Sequence, residues 1–303
     1  EDNAYTEDLI PDTSFSGDDS VSGSEADFSE ETAYDEPYAE ETGSEIQNPD
    51  ADRDADVGQD PDVIEEYGED PKAEKDPADE PEAQSGGIAV SEANFPDNNF
   101  RTYVSSNCDT NADGVLSEEE INAKTYMNVS YEGINSLQGI GFFTALTELR
   151  CSGNSLSTLD VSGCTSLKIL YCGINHLSSL DLSGCTTLTA LDCHSNSMSD
   201  LDVSGCTALT KLSCGYSQLS SLDVSGCPKL EDLVCNQAQL SSLNVSHCPE
   251  LWDLSCNNTQ LTALDVSGCP NLKYLDCEKC RLNTLNVSGC TELSTLKCGN
   301  NNL

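Results

Sequence analysis

The residues best suited to chemistry are the oxygen-bearing side chains between Asp109 and Glu120, a stretch of twelve residues. Asp109, Asn111 and Asp113 recur at every second position, and Gly114 follows where the chain must turn tightly. Because Ca²⁺ is a hard cation that binds about seven oxygens, this spacing predicts one calcium site. The predicted ligands are the side chains of Asp109, Asn111 and Asp113, the carbonyl oxygen of Val115, Ser117 through a water molecule, and a bidentate Glu120. The alternative is a loop that keeps the turn but no longer binds metal.

Two short helices are predicted to position this loop. Apolar side chains follow a helical spacing on both sides of it, at Phe95, Phe100, Tyr103 and Val104 before the loop and at Leu116 and Ile121 after it. The resulting helix–loop–helix, over residues 89–126, resembles single EF-hand and dockerin-like modules. The sequence holds no second loop of this kind, so we expect the helices to pack on the first half-coil of the following repeat, with calcium in a structural role.

A repeat of 21 residues begins at Leu146 and runs through seven full coils into a broken eighth. Its pattern is LxxLxCxxNxLxxLDVSGCxx, with apolar residues at positions 1, 4, 11, 14 and 16 and cysteine at positions 6 and 19. Because each coil covers its neighbour, these side chains are predicted to face inward. The alternation at positions 4 and 6 and at positions 14 and 16 predicts two short parallel strands in every coil.

Asparagine at position 9 is predicted to bond the backbone at the bend, as a ladder of amides from coil to coil. It is present at Asn154, Asn175, Asn196 and Asn301. The central coils carry Ser217, Ala238, Thr259 and Cys280 instead. We therefore expect local irregularity in those coils.

The 17 cysteines follow the repeat, since eight lie at position 6, seven lie at position 19, and only Cys108 and Cys280 fall outside. At inward sites of a repeat that already has a core they are predicted to act as small apolar fillers. Disulfides between adjacent coils are an open alternative. The single Cys277–Cys280 element is a weak indication of zinc or redox chemistry.

The coils resemble bacterial leucine-rich repeats of the 21-residue kind, over residues 127–303. This resemblance implies a mainly β fold: a curved parallel-β leucine-rich-repeat solenoid with two short strands per coil, capped at its N-terminal end by the helix–loop–helix. It also implies an extracellular protein, secreted or attached to the cell surface, that recognises a protein or a glycan. The chain begins at Glu1 and stops part-way through a coil, so we expect the natural protein to extend beyond both ends.

Residues 1–88 are predicted to be a disordered acidic spacer. Residues 1–84 contain 31 of the 54 acidic residues and only three basic ones, a local net charge of −28, together with seven of the eleven prolines. The alternative for this segment is an interaction tail that recruits basic partners. With a net charge of −41 the chain repels phosphates, which excludes nucleic acid as a partner, and no apolar run is long enough to span a membrane.

Positions 3 and 5 of the first strand are predicted to point outward on the concave sheet and to bind the partner. The candidate residues are Arg150, Tyr171, Asp192, Tyr274 and Asp276, with Tyr216 and Trp252 nearby. The alternative for each of them is an ordinary exposed side chain that takes no part in binding. Position 15 carries a column of five aspartates and two asparagines, which either binds a string of cations or accepts hydrogen bonds from the following turn.

The sequence shows no constellation suited to catalysis. The three histidines, His176, His194 and His247, occupy different positions of different coils without a recurring acid or nucleophile beside them. The sequence therefore predicts a monomeric recognition protein that is not an enzyme. The alternative is a non-catalytic targeting or stalk module of a larger envelope protein or secreted enzyme.

Overall fold

The computed structural model describes residues 86–303, so the predicted disorder of the acidic segment falls, for residues 1–85, outside the described part. The first elements are β1 (Ile88–Ala89), α1 (Asn98–Asn107), β2 (Val115–Leu116) and α2 (Glu118–Ala123). The predicted helix–loop–helix is therefore present. Within residues 86–303 no helix is both long and apolar enough to cross a bilayer.

Both helices start at a polar side chain that caps their free backbone N–H groups. The Asp97 carboxylate accepts from the N–H groups of Asn99 and Phe100, each at 2.9 Å. Ser117 and Glu120 form a reciprocal capping box at the start of α2. The capping box fixes Glu120 at the end of the predicted calcium loop.

The helix–loop–helix packs on the first half-coil, as the sequence predicts. The Phe95 ring meets Phe142 and Phe143 of that half-coil at centroid distances of 5.8 and 6.5 Å. The second carboxylate oxygen of Asp97 accepts from the Asn135 N–H at 2.8 Å, which ties the start of α1 to the same half-coil. One shared core, made of large apolar side chains from both parts, therefore continues from the helices into the coils.

Strand β1 provides the loop with a partner strand that the sequence pattern does not reveal. It pairs antiparallel with β2, and the Val90 N–H donates to the Gly114 carbonyl oxygen at 2.8 Å. Residues 88–90 thus belong structurally to the cap, although Ile88 lies at the end of the predicted spacer.

The long sheet consists of nine parallel strands, one per coil, in register. They are β3 (Tyr126–Asn128), β4 (Glu148–Arg150), β5 (Ile169–Tyr171), β6 (Ala190–Asp192), β7 (Lys211–Ser213), β9 (Asp232–Val234), β11 (Asp253–Ser255), β13 (Tyr274–Asp276) and β15 (Thr295–Lys297). The central leucine of nearly every strand is buried while its two neighbours point away from the core. A short 3₁₀ turn, Ile140–Phe142, precedes β4.

The second strand of each coil is formed in only four coils, as β8 (Ser221–Asp223), β10 (Ser242–Asn244), β12 (Ala263–Asp265) and β14 (Thr284–Asn286). These pair as β8 with β10 and β12 with β14. In both pairs an amide at position 15 donates to the aspartate of the preceding coil, from Asn244 to Asp223 at 3.0 Å and from Asn286 to Asp265 at 3.1 Å. The coils that begin at 146, 167 and 188 carry aspartate at this position, and adjacent like charges oppose strand pairing.

The position-15 side chains accept hydrogen bonds from the turn that follows them. Asp160 Oδ1 accepts from the Ser162 N–H at 2.9 Å, and the same bond recurs in the later coils. The side chain and the backbone of Ser162 both hold the pKa of Asp160 below its usual value. The hydrogen bonds expected from the following turn are therefore present at every position-15 residue.

The asparagine ladder at position 9 is also confirmed. Asn175 accepts from the Leu156 N–H at 3.0 Å and donates to the carbonyl oxygens of Cys151 and Cys172, each at 3.1 Å. Ser217 and Thr259 instead donate to the position-6 carbonyl of their own coil. The irregularity expected in these coils is not found at the bend, because position 8 keeps a left-handed backbone in every coil, with φ between 50° at Tyr216 and 66° at Gly153. The same four coils differ from the others in forming the second strand.

All 17 cysteines are free, and fifteen of them are buried. Burial raises the pKa of Cys151 to about 12, so the thiol stays protonated and inert. The position-19 thiols do more than fill space. Cys227 and Cys248 donate from Sγ to the carbonyl oxygens of Val203 and Val224 in the preceding coil, at 3.4 and 3.3 Å. This cysteine column therefore links neighbouring coils through hydrogen bonds as well as packing.

Candidate functional site

The outward face of the nine-stranded sheet, named here the sheet face, consists of the side chains at positions 3 and 5. At its N-terminal end the Arg150 guanidinium lies 5.0 Å from the centre of the Tyr171 ring and 2.6 Å from Glu148 Oε1. Strand register places Arg150 directly beside Tyr171. These half-buried groups hold each other in place, which presents an ordered aromatic and basic surface.

Asp192, further along this face, is paired with a histidine that the sequence reasoning did not connect with it. His194 Nδ1 lies 2.6 Å from Asp192 Oδ1. Burial alone lowers the pKa of His194, but the bonded Asp192 carboxylate outweighs it and raises that pKa above its ordinary value. The signal was the spacing of two residues, which puts both side chains on one side of an extended chain.

The C-terminal end of the sheet face repeats the aromatic and basic pairing. Lys297 Nζ lies 5.2 Å from the centre of the Tyr274 ring and 3.9 Å from Asp276 Oδ2. Asp276 is only 9% exposed, and its Oδ1 accepts from the Glu278 N–H at 3.1 Å. The Asp276 carboxylate is therefore already engaged by these neighbours.

Tyr216 and Trp252 are both well exposed, at 52% and 42%. They lie at opposite sides of the long sheet, because one follows its strand and the other precedes its strand. Tyr216 occupies position 8, beyond the C-terminal ends of the strands, and its hydroxyl accepts from Gln237 Nε2 at 2.6 Å. Trp252 occupies position 2, immediately before strand β11. The two aromatic residues grouped by the sequence analysis therefore belong to separate surfaces.

Two aspartates form a pair at the centre of the sheet face, and the sequence analysis did not identify this pairing. Asp232 and Asp253 are direct neighbours in adjacent strands. Burial first, and then the carboxylates of Asp232 and Asp276, raise the pKa of Asp253 to about 6. Their spacing of 21 residues, one full coil, was the signal that could have identified the pair.

We expect Asp253→Asn to stabilise the protein at neutral pH and to have little effect near pH 4. An aspartate whose pKa rises on folding favours the folded state below its unfolded pKa of about 4, and this contribution is lost as the pH rises through about 6. The expected gain at neutral pH is about 1 kcal/mol, well below the full linkage value because solvent screens this half-exposed group.

Urea denaturation at both pH values measures this effect, with the exposed Asp200→Asn as the matched control. An equal change for Asp253→Asn at the two pH values would contradict the assignment.

In the predicted calcium loop, Glu120 connects the two ends. Glu120 Oε1 accepts from the N–H and the hydroxyl of Thr110 at 2.6 and 2.7 Å, and Oε2 accepts from the Ser117 N–H at 2.9 Å. The bonds from Ser117 and Thr110 lower the pKa of Glu120 to about 2. Glu120 is therefore a carboxylate at any physiological pH.

The other predicted ligands line the same turn. Asp109 accepts from the Asp113 and Gly114 N–H groups at 3.2 and 2.9 Å, and Asp113 accepts from the Val115 N–H at 2.8 Å. The left-handed φ of 82° at Gly114 provides the sharp turn. All the candidate ligand atoms are oxygens, which calcium prefers, so these residue types suit a calcium ion. Within residues 86–303 no group of three or more His, Cys, Asp or Glu side chains is gathered around one metal-binding point.

Similarity to known proteins concentrates on bacterial repeat proteins, while no family model matches the chain. Internalin J of Listeria monocytogenes serotype 4b is 35% identical over 68 residues, which is 22% of this chain and 7% of that protein. The structure of the functional domain of InlJ from Listeria monocytogenes, described as including a cysteine ladder, is 33% identical with a TM-score of 0.66. That match covers 71% of this chain and 48% of the InlJ chain, so this chain spans about half of its length.

Two more distant structures support the fold alone. Internalin C2 of Listeria monocytogenes is 16% identical, with a TM-score of 0.58 over 71% of this chain and 97% of its own. A leucine-rich-repeat protein of Leptospira interrogans is 21% identical, with a TM-score of 0.53 over 62% of this chain and 52% of its own. Together with the nine in-register strands and the buried leucine and cysteine columns, these findings show that the described residues form a leucine-rich-repeat solenoid.

Proposed function

We propose that this protein is an exported bacterial recognition protein that binds a protein or glycan partner through the sheet face and carries out no catalysis. The observation on which this depends is the sheet face itself, nine strands wide and in register. A rigid surface of this kind binds with little loss of conformational entropy.

The ordered aromatic groups at the two ends of the sheet face support this proposal. Tyr171 and Tyr274 each lie against a cation, Arg150 and Lys297 respectively. Tyrosine and arginine are enriched among the residues that dominate binding energy at interfaces. Tyr171, together with Arg150, is therefore the proposed anchor for the partner.

We further propose that calcium binds at the loop and stabilises the cap. The oxygen-only donor set, the ionised Glu120 and the sharp turn at Gly114 support this role. Asp109, Asn111, Asp113, the Val115 carbonyl, Ser117 and Glu120 would hold the ion. Extracellular calcium is roughly millimolar, so even a weak site of this class would fill.

The test of recognition is binding of the purified chain to intact host or bacterial cells, followed by flow cytometry. We expect Tyr171→Ala to lose most of the binding, whereas Tyr131→Ala, an exposed tyrosine outside positions 3 and 5, should retain it. Protease treatment of the cells separates a protein ligand from a glycan. Equal binding by both variants would contradict the sheet-face assignment, and absence of binding to any cell surface would favour the stalk-module alternative.

A further inference from the structure

An open cavity of about 420 Å³ lies beside the N-terminal ends of the strands of the long sheet, and its lining residues are not at positions 3 and 5. Three of its lining residues, Glu231, Trp252 and Lys273, occupy position 2 of consecutive coils. The others occupy position 21 of the same coils and are Glu250, Asn271 and Glu292. Its volume falls within the range of about 300–1,000 Å³ that is typical of small-molecule sites.

The lining departs from the structure that the repeat uses elsewhere at this edge. In three of the four earlier coils position 2 holds a threonine, the exception being Lys168. The hydroxyl groups of Thr147, Thr189 and Thr210 donate to the carbonyl oxygen at the equivalent position of the preceding coil, at 2.9 to 3.0 Å. Ser294 makes the same bond after the cavity. Three consecutive coils replace this small structural residue with long side chains, and these coils frame the cavity.

The Trp252 backbone is held by the hydrogen bonds between coils, whereas its indole lies outside the core. The backbone N–H of Trp252 donates to the Glu231 carbonyl oxygen at 2.9 Å, and the backbone carbonyl oxygen of Trp252 accepts from the N–H groups of Lys273 and Tyr274 at 2.9 and 3.0 Å. The preceding Leu251 is fully buried and fills the core of this coil. The core of this coil is therefore filled without the indole, which is 42% exposed.

The polar groups around the indole select the class of ligand. Three carboxylates accept hydrogen bonds, and the Lys273 ammonium donates them. Asn271 Nδ2 donates to Glu250 Oε2 at 3.3 Å, which orients both side chains. Hydroxyl groups can satisfy acceptors and donors together, whereas a cationic ligand would meet Lys273 next to the indole. The excess of negative charge repels phosphates and acidic sugars.

We propose that this cavity is a carbohydrate subsite, in which the Trp252 indole stacks on the ring of a neutral pyranose and the surrounding carboxylates accept from its hydroxyl groups. Aromatic rings present a large apolar surface to the C–H face of a sugar at little entropic cost. The subsite lies outside the sheet face, so it can exist whether or not the sheet face binds a partner.

The experiment uses the fact that Trp252 is the only tryptophan of the chain, so tryptophan emission reports this cavity alone. The full chain is titrated with chitotriose, cellotriose, maltotriose and a β-galactotriose. We expect a saturable change of emission with at least one of these sugars. Glu250→Gln should weaken that binding about tenfold, because a hydrogen bond to a charged acceptor is lost. Glu278→Gln, which removes a carboxylate elsewhere on the solenoid, should leave it unchanged.

Calorimetry provides a second readout that does not depend on the fluorophore, and Trp252→Ala should abolish the binding heat. Both altered side chains are exposed, so folding of the variants is checked simply by circular dichroism. A flat emission for all four sugars would overturn the proposal. Saturation by tetralysine alone would also overturn it, because that result would assign the cavity to cationic peptides.

Discussion

Asn196→Ala lowers the free energy of unfolding by about 2–6 kcal/mol, a large effect for a single polar substitution. Asn196 is 6% exposed, donates to the Cys172 and Cys193 carbonyl oxygens at 3.1 and 3.0 Å, and accepts from the Leu177 N–H at 2.9 Å. Alanine leaves the Leu177 N–H and the Cys193 carbonyl without these partners, whereas the Cys172 carbonyl keeps its bond from Asn175. Each buried group that loses its partner costs about 1–3 kcal/mol. Urea denaturation followed by circular dichroism measures the loss.

Ser217→Ala is the matched control, since Ser217 fills the same position in the next coil with a single bond, to the Cys214 carbonyl oxygen at 2.8 Å. We expect it to cost about 1 kcal/mol. Ala238 shows that one coil tolerates a side chain without polar atoms at this position. If Asn196→Ala lowered the free energy of unfolding no more than Ser217→Ala, the additional hydrogen bonds of the asparagine ladder would not stabilise the fold.

Calcium is expected to raise the stability of the chain by about 1.4 kcal/mol at a concentration ten times its dissociation constant. For a folded part of this size the shift corresponds to roughly 3–6 °C in melting temperature. The effect should appear on adding calcium to chelator-treated protein and should saturate at one bound ion per chain. Binding of several ions would instead implicate the position-15 aspartates.

Glu120→Gln separates the calcium role of this side chain from its capping role. Glutamine still completes a capping box but carries no charge, so the variant should fold normally and lose most of the calcium-dependent shift. Ser117→Ala removes the cap and only a water-mediated ligand, so it should lower stability by about 1 kcal/mol in calcium-free protein and keep most of the calcium-dependent shift. A calcium shift that Glu120→Gln leaves intact would contradict the proposed ligand set.

The core of the fold could be predicted from the sequence because the repeat length and the side-chain alternation determine it. The buried leucines, the free cysteines, the asparagine ladder and the cap packed around Phe95 all follow from spacing and residue type. These features depend on contacts between equivalent positions of adjacent coils, and a fixed period reveals such contacts directly.

The features that escaped the sequence depend on particular neighbours. Strand β1 is only two residues long, so no period marks Ile88 as the partner of Leu116. The second ladder forms where Asn244 or Asn286 faces an aspartate, an effect of single substitutions within a regular column. The burial of Asp276 likewise depends on Lys297, one coil away. Predicting these outcomes required the register of the coils, which the structure provides.

The candidate surfaces were predicted as one site, and the structure separates them. Positions 3 and 5 form the sheet face, but position 8 and position 2 lie beyond opposite ends of its strands. Tyr216 and Trp252 are therefore too differently placed to act as one anchor with Tyr171. The sequence showed that these residues are exposed aromatics, and their surfaces became distinct only when the direction of each strand was known.

The most direct test of the account is alkylation of the native, unreduced protein with a thiol reagent, followed by unfolding, a second label and peptide mass spectrometry. We expect every cysteine to be a free thiol, and we expect those buried at positions 6 and 19 to react only after unfolding. The half-buried Cys290 and Cys298 should react first. Rapid labelling of the whole column in the native state, or disulfides between coils, would contradict the stacked solenoid on which every surface described above depends.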